Sequence, residues 1–195
     1  MAVVDRVQGI LLRPRQEWQV IDVEQSTTAD LYRNYVMPLA AVGPVATLIG
    51  GVVFGVSLPL IGTVHVPLGT AITQAIVAYV LALVGTYVLA LVIDQLAPTF
   101  GGTRNSAQAL KVAAYASTAQ WLAGVFAVIP PLGVLGILGL YSLYLISLGL
   151  PVLMRAPQER ALAYTVAVVV AGIVIAIIIG AVVGASVAGV VGAVY

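Results

Sequence analysis

Three long stretches of the sequence contain no Lys, Arg, Asp or Glu, and they restrict the fold more than any other feature. They cover residues 34–93, 112–154 and 161–195. A helix needs about 20 apolar residues to cross a bilayer, so the stretches have room for two, two and one spanning helices. Only 8% of the residues are charged, against roughly 25% in soluble domains. The sequence therefore predicts an all-α polytopic membrane protein in contact with the lipid bilayer.

Glycines and prolines divide these stretches into a bundle of five predicted transmembrane helices. A cluster of them between residues 59 and 69, which begins at Pro59, interrupts the first stretch, and Pro130 with Pro131 interrupts the second. The predicted helices cover residues 35–57, 70–93, 107–129, 133–154 and 161–190. Residues 1–34 precede this five-helix domain of residues 35–195 as a polar segment.

Basic residues lie on one side of the predicted bundle. With five spans, residues 1–34 and the loops 94–110 and 155–160 share a side, and all eight Lys and Arg lie in or beside these regions. Basic residues concentrate in the cytoplasmic loops of membrane proteins. We therefore expect the N-terminus in the cytoplasm and Tyr195 on the outside.

Residues 1–34 carry an amphipathic pattern as well as nine of the fifteen charges. Apolar residues recur at helical spacing between residues 4 and 11, and a second piece after Pro14 has Trp18 and Ile21 on one side. Amphipathic helices with tryptophan lie flat at bilayer surfaces, so a surface anchor is one interpretation. A docking site for a cytosolic protein is the other. The candidate docking residues are Arg13, Arg15, Trp18, Asp30 and Tyr32.

A small residue recurs at every fourth position of the last predicted helix. Small residues let helix backbones approach closely in lipid, where the hydrophobic effect does not drive association. This packing stripe consists of Gly172, Ala176, Gly180, Gly184, Ala188 and Gly192. Similar stripes run from Gly43 in the first predicted helix and from Ala78 in the second. We expect these faces to contact other helices, either within the chain or in a homo-oligomer.

Polar residues inside the predicted helices are few and uncharged at the helix centres. Asp94 and Lys111 lie at the inner ends of helices two and three, and we expect them to form an ion pair. The uncharged polar residues of helices three and four indicate either interhelical hydrogen bonds or the lining of a polar cavity. The candidate residues for both are Tyr115, Gln120, Tyr141 and Tyr144.

The sequence contains no pattern typical of a catalytic or cofactor site. The single His65 lies in an outer loop, and Ser57 is the only serine near it that could act as a nucleophile. There is no cysteine, no P-loop and no GxGxxG motif, and no His or carboxylate cluster outside residues 1–34. The net charge of +1 provides no basic surface for nucleic acid. We expect no enzymatic activity, no cofactor, no metal and no nucleic-acid partner.

Three sequence elements together are familiar. They are residues 12–18 (LRPRQEW), residues 113–121 (AAYASTAQW) and residues 129–164, within which residues 141–151 (YSLYLISLGLP) are the most specific. These elements resemble the bacterial branch of the Yip family, the Ypt-GTPase-interacting-protein domain. The resemblance implies five spans in a bacterial inner membrane, with a cytoplasmic N-terminus. Residues 30–32 (DLY) also resemble an element of eukaryotic relatives, which bind small GTPases.

Two functional hypotheses follow from the sequence. The first is a non-enzymatic membrane protein that organises the membrane, or recruits a cytosolic partner through residues 1–34. The second is a small channel or transporter with a polar path between helices three and four. The absence of charge at the helix centres favours the first, because ion-coupled transport usually needs a charged residue there.

Overall fold

Two short helices precede the first long helical segment. The computed structural model describes residues 3–58 and 62–192, without the side chains of residues 56–58, 62, 130 and 186–192. Helix α1 covers Val3–Leu12 and α2 covers Pro14–Val23. Pro14 is the first residue of α2, a position where its missing N–H breaks no helical hydrogen bond. We call α1 and α2 together the cap.

The first long segment, Thr28–Phe54, consists of short helical pieces placed end to end. Thr27 begins it with a capping box, because its hydroxyl accepts a bond from the Asp30 N–H at 3.1 Å and the Asp30 carboxylate accepts one in return. The pieces are α3 (Thr28–Leu31), a π-helical turn (Tyr32–Val36), α4 (Met37–Ala40), α5 (Val42–Ile49) and a second π-helical turn (Gly50–Phe54).

A small β-hairpin and the remaining helices complete the chain. Strands β1 (Val56–Leu58) and β2 (Gly62–Val64) pair antiparallel, with Val56 opposite Val64. The later elements are α6 (Leu68–Leu96), a 3₁₀ turn (Ala97–Phe100), α7 (Ser106–Ala116), α8 (Thr118–Ala123), 3₁₀ helices Gly124–Val128 and Pro130–Leu140, α9 (Tyr141–Leu153) and α10 (Gln158–Gly192).

Among the described residues, four helical segments are long and apolar enough to cross a membrane. They are Thr28–Phe54, Leu68–Phe100, Pro131–Leu153 and Gln158–Ala185. The predicted all-α, polytopic membrane fold is confirmed. The predicted helix 107–129 is not among these four segments, and it is divided between α7, α8 and a 3₁₀ helix. All eight residues from Ala109 to Ala116 are buried inside the protein, so this segment does not need the uniformly apolar surface of a lipid-facing helix.

The divided segment still runs the length of the bundle. Lys111, near its start, contacts the cap, since its amine donates to the Ile21 carbonyl at 3.0 Å. Near its end, a Cβ on Gly50 would lie 3.3 Å from the carbonyl carbon of Val128. Gly50 lies next to the hairpin, so the segment joins the end of the bundle that carries the cap to the end that carries the hairpin.

The glycines of the first span make a closer contact than those of α10. A Cβ on Gly124 would lie 2.8 Å from the Gly43 Cα, so the absence of a side chain at Gly124 lets these backbones meet. Along α10, by contrast, a Cβ on Gly180 or Gly184 would meet no atom within 4 Å. The predicted stripe therefore makes no tight contact within the chain at these two positions. The predictions for Ala188 and Gly192 fall on side chains that the structure does not describe. Those for Pro59 and Tyr195 fall outside the described residues.

Candidate functional site

A buried arginine ties the two helices of the cap together. Arg6 is only 3% exposed and forms ion pairs with Glu17 and Glu24. Its guanidinium also lies 5.4 Å from the ring centroid of Tyr115. A charge removed from water is tolerated when it has charged partners, and Arg6 has two. The cap is therefore a folded unit attached to α7.

Lys111 binds the cap, and the predicted ion pair between Asp94 and Lys111 is wrong. The Lys111 amine donates to the backbone carbonyls of Ile21, at 3.0 Å, and Glu24, at 2.5 Å. These carbonyls lie at the C-terminal end of α2, where the helix dipole favours a cation. A buried carboxylate oxygen of Asp94 has no hydrogen-bond partner among the described residues. The sequence could not reveal this arrangement, because backbone carbonyls leave no mark in a pattern of side chains.

Trp18 is buried inside the protein and faces neither lipid nor a docking surface. Its exposed fraction is 0%, and its ring lies edge-on to Tyr115 with 6.5 Å between centroids. A Cβ on Gly149 would lie 2.9 Å from the indole ring, so α9 leaves space for Trp18 by having no side chain there. The surface-anchor and docking interpretations of Trp18 are both wrong. The amphipathic pattern correctly predicted an apolar face, but that face packs against the helix bundle and not against lipid or a partner.

The other candidate docking residues differ in how accessible they are. The Tyr32 hydroxyl donates to the Leu83 carbonyl at 2.9 Å and so joins the first span to α6. Asp30 takes part in the capping box of α3. Arg13 and Arg15 lie exposed on the cap. Of the five candidates, these two arginines are the basic side chains that remain available to a partner.

The four candidate cavity residues do not line one path. Tyr115 packs against Tyr35, with 4.6 Å between ring centroids, and Tyr141 donates its hydroxyl proton to the Leu11 carbonyl at 3.1 Å. Tyr144 is 42% exposed, with its ring 5.4 Å from that of Tyr141. Only Gln120 of the four lines the cavity between the helices. The polar path of the channel hypothesis is therefore not assembled, and three of its residues serve packing or hold the cap.

The cavity itself has a volume of about 760 Å³ and lies between the first span, α6, α8, α9 and α10. Ser142 supports one wall, because its hydroxyl accepts a hydrogen bond from the Gln120 backbone N–H at 3.1 Å. The polar lining also includes Thr47 and Gln74, which the sequence analysis missed. The signal that could have found them is the small-residue stripes that flank both positions. In the described part of the chain, no group of three His, Cys, Asp or Glu residues could hold a metal ion.

A known protein family matches most of this architecture. A family model described as the Yip1 domain matches residues 9–192. The chain belongs to the Yip1 domain family. The resemblance predicted from the sequence is thereby confirmed. Because the match begins inside α1, all of α2 and its contacts with α7 and α9 lie within the Yip1 domain.

Two curated relatives of this Yip1 domain protein are bacterial membrane proteins. Both are named "Inner membrane protein YohC", one from Escherichia coli strain K12 and one from Escherichia coli O6:H1. Each is 24% identical over 166 residues, which cover 83% of this chain and 85% of the relative. No solved structure matches the chain. With its four apolar helical segments, this Yip1 domain protein is an integral membrane protein.

Proposed function

We propose that this Yip1 domain protein is a non-enzymatic protein of the bacterial inner membrane that recruits a cytosolic protein through its cap. The relatives named as inner membrane proteins support the location. The proposal includes a fifth span, formed by α7, α8 and the 3₁₀ helix Gly124–Val128, because this segment joins the two ends of the bundle. An odd number of spans places the two ends of the chain on opposite sides of the membrane, and the proposed orientation has the cap in the cytoplasm and the C-terminus outside.

The distribution of basic residues supports this orientation. The loop after α6 meets the loop before α10, where the Thr103 N–H donates to the Met154 carbonyl at 2.8 Å. The next residue, Arg155, forms an ion pair with Asp22 of the cap at 2.8 Å. The basic loops and the cap are therefore gathered at one end of the bundle, as the positive-inside rule requires of a cytoplasmic face.

The observation that carries the recruitment proposal is the outer surface of the cap. Arg13 and Arg15 are exposed there, and the neighbouring Leu12 is 77% exposed. At the other end of α2, Val23 is 79% exposed. A folded surface with basic and apolar groups side by side suits a protein partner with acidic and apolar groups, since such interfaces combine an apolar centre with a charged rim.

Charge reversal on the cap tests the proposal. Arg13→Glu combined with Arg15→Glu should abolish the recovery of cytosolic proteins cross-linked to the purified membrane protein, while membrane insertion stays unchanged. The matched control is Arg104→Glu combined with Arg160→Glu, which reverses two exposed arginines outside the cap. Equal recovery with both double variants would contradict the proposal. A loss of vesicle binding by an isolated cap peptide, with no change in protein recovery, would instead favour a lipid contact for these arginines.

A further inference from the structure

The cavity is open on one side and elongated along the helices. On α6 its lining extends from Ala71 to Leu89, and on α10 from Val168 to Val183. At about 1.5 Å of rise per residue, these stretches measure roughly 27 Å and 22 Å. One leaflet is about half of the ~30 Å hydrocarbon core, so the cavity is longer than a leaflet is deep. Its shape suits a chain-like molecule better than a compact one.

Small residues form the cavity walls and keep the space open. A Cβ on Gly180 would meet no atom within 4 Å, and a Cβ on Gly172 would meet only the end of Leu89, at 3.9 Å. Ala78 and Ala82 line the facing side on α6. The stripe predicted to pack helices thus borders an open volume. Any larger side chain at Gly180 would occupy part of it.

The polar groups of the cavity are uncharged, and three of them lack a partner for their side chains, whereas Thr86, Ser117 and Ser142 have one. None of the described residues that line the cavity is an Asp, Glu, Lys or Arg. Within the described ranges, the side chains of Thr47, Gln74 and Gln120 have no hydrogen-bond partner. A side-chain amide without a partner is costly in a membrane interior, where water does not replace the missing bond. A molecule in this cavity must therefore supply hydrogen-bonding groups.

These requirements select a class of ligand. An ion is excluded because no opposite charge faces it, and a pure hydrocarbon would leave the amides unpaired. Water alone does not fit either, because most of the wall is apolar and apolar cavities remain dry. We propose that the cavity binds a neutral single-chain amphiphile, with its acyl chain along the small residues of α6 and α10 and its uncharged head group hydrogen-bonded to Gln74 or Gln120. This inference does not depend on the recruitment proposal.

Trp121 lines the cavity and reports on its occupant. The chain has two tryptophans, and the other, Trp18, is fully buried in the cap, so Trp18→Phe leaves Trp121 as the only one. The probe is a monoacylglycerol with a dibrominated stearoyl chain, added at low mole fraction to phosphatidylcholine vesicles that contain the protein. Bromine quenches tryptophan on contact. We expect quenching that saturates and is reversed by unbrominated monooleoylglycerol. Quenching that only increases linearly with mole fraction would overturn the proposal.

A matched pair of glycine substitutions locates the binding site. Gly180→Leu should abolish the saturable quenching, because the new side chain occupies the cavity. Gly184→Leu should leave it unchanged, because this residue lies one turn away outside the lining and also has nothing within 4 Å of its Cβ position. Equal quenching in the two variants would contradict the assignment. The starting protein with Trp121→Phe, in which Trp18 is the only tryptophan, should show no saturable quenching.

Competition distinguishes the head group from the chain. Hexadecane and the anionic lysophosphatidylglycerol should fail to displace the brominated probe, whereas monooleoylglycerol displaces it. Gln74→Leu and Gln120→Leu combined should weaken probe binding at least about fivefold, the effect expected for one lost neutral hydrogen bond. Displacement by hexadecane as effective as that by monooleoylglycerol would overturn the assignment of a polar head group. Unchanged binding in the glutamine double variant would do the same.

Discussion

At the cap end of the bundle, large side chains fill the space between the helices, whereas towards the hairpin end glycine and alanine leave a cavity. Trp18, Ile21 and Tyr115 are buried where the cap packs against the bundle. The buried cations Arg6 and Lys111 both have partners within the chain. In the cavity, the amides of Gln74 and Gln120 have none within the described chain. The two ends therefore differ, because the cap end pairs its buried cations within the chain, whereas the cavity leaves two amides without a partner in the described residues.

The largest expected effect comes from removing the buried cation of the cap. Arg6→Ala leaves Glu17 close to a buried site without its partner, which should cost about 3 kcal/mol of cap stability. Hydrogen exchange of residues 3–24, measured in lipid nanodiscs, should accelerate about a hundredfold if the cap opens locally. Exposed Arg15→Ala is the control and should leave exchange unchanged. Equal exchange in both variants would show that Arg6 does not hold the cap closed.

A smaller effect is expected where Trp18 meets α9. Gly149→Ala places a methyl group 2.9 Å from the indole ring, and such overpacking should cost about 1–3 kcal/mol. In a Trp121→Phe background, the emission of Trp18 should shift to the red. Gly133→Ala is the matched control, since its Cβ would meet nothing within 4 Å. A Trp18 spectrum that does not respond to Gly149→Ala would mean that the ring lies elsewhere.

The third prediction compares the two residues that the sequence paired. Lys111→Met removes the donor to the Ile21 and Glu24 carbonyls and should destabilise the cap by about 1–3 kcal/mol. Asp94→Asn should leave the cap unchanged, because Asp94 takes no part in its hydrogen bonds. Hydrogen exchange of the cap measures both. Equal destabilisation of the cap by Lys111→Met and Asp94→Asn would contradict this arrangement and support an ion pair between the two residues.

The smallest effect concerns the cavity wall. Gly180→Ala should stabilise the protein by about 0.5 kcal/mol, because alanine favours helix and meets no atom at this site. Gly85→Ala should stabilise the protein less, since its Cβ would lie 3.0 Å from Ile179 and 3.3 Å from Ile175. Thermal unfolding in the same detergent compares them. A destabilising Gly180→Ala would show that the wall is closed.

The sequence was most informative about the parts of the fold that face lipid. Uncharged runs and their glycine and proline interruptions predicted helical structure at α6 and α10, because a lipid-facing helix must be apolar along its whole length. The interrupted segment from α7 onwards shows the limit of this rule. Its first part, residues 109–116, is buried within the protein, so the composition there is constrained by packing and carries a weaker signal.

The sequence was least informative about what covers each apolar or polar group. Helical periodicity marked the face with Trp18 but could not show that Gly149 lies opposite it. Lys111 has backbone partners that no side-chain pattern records. Gln74 and Thr47 lie on different helices, and only the three-dimensional arrangement brings them to one cavity. These contacts depend on the tertiary fold, which local patterns do not specify.

The docking of the cap on the bundle is tested most directly by what surrounds Trp18. In a Trp121→Phe variant, Trp18 is the only tryptophan, and its fluorescence is measured in vesicles with two quenchers. We expect that neither aqueous acrylamide nor a phospholipid brominated near its head group quenches the emission, because the ring is fully buried within the protein. Strong quenching by the brominated lipid would contradict it in favour of a surface anchor, and strong quenching by acrylamide would contradict it in favour of an undocked N-terminal segment.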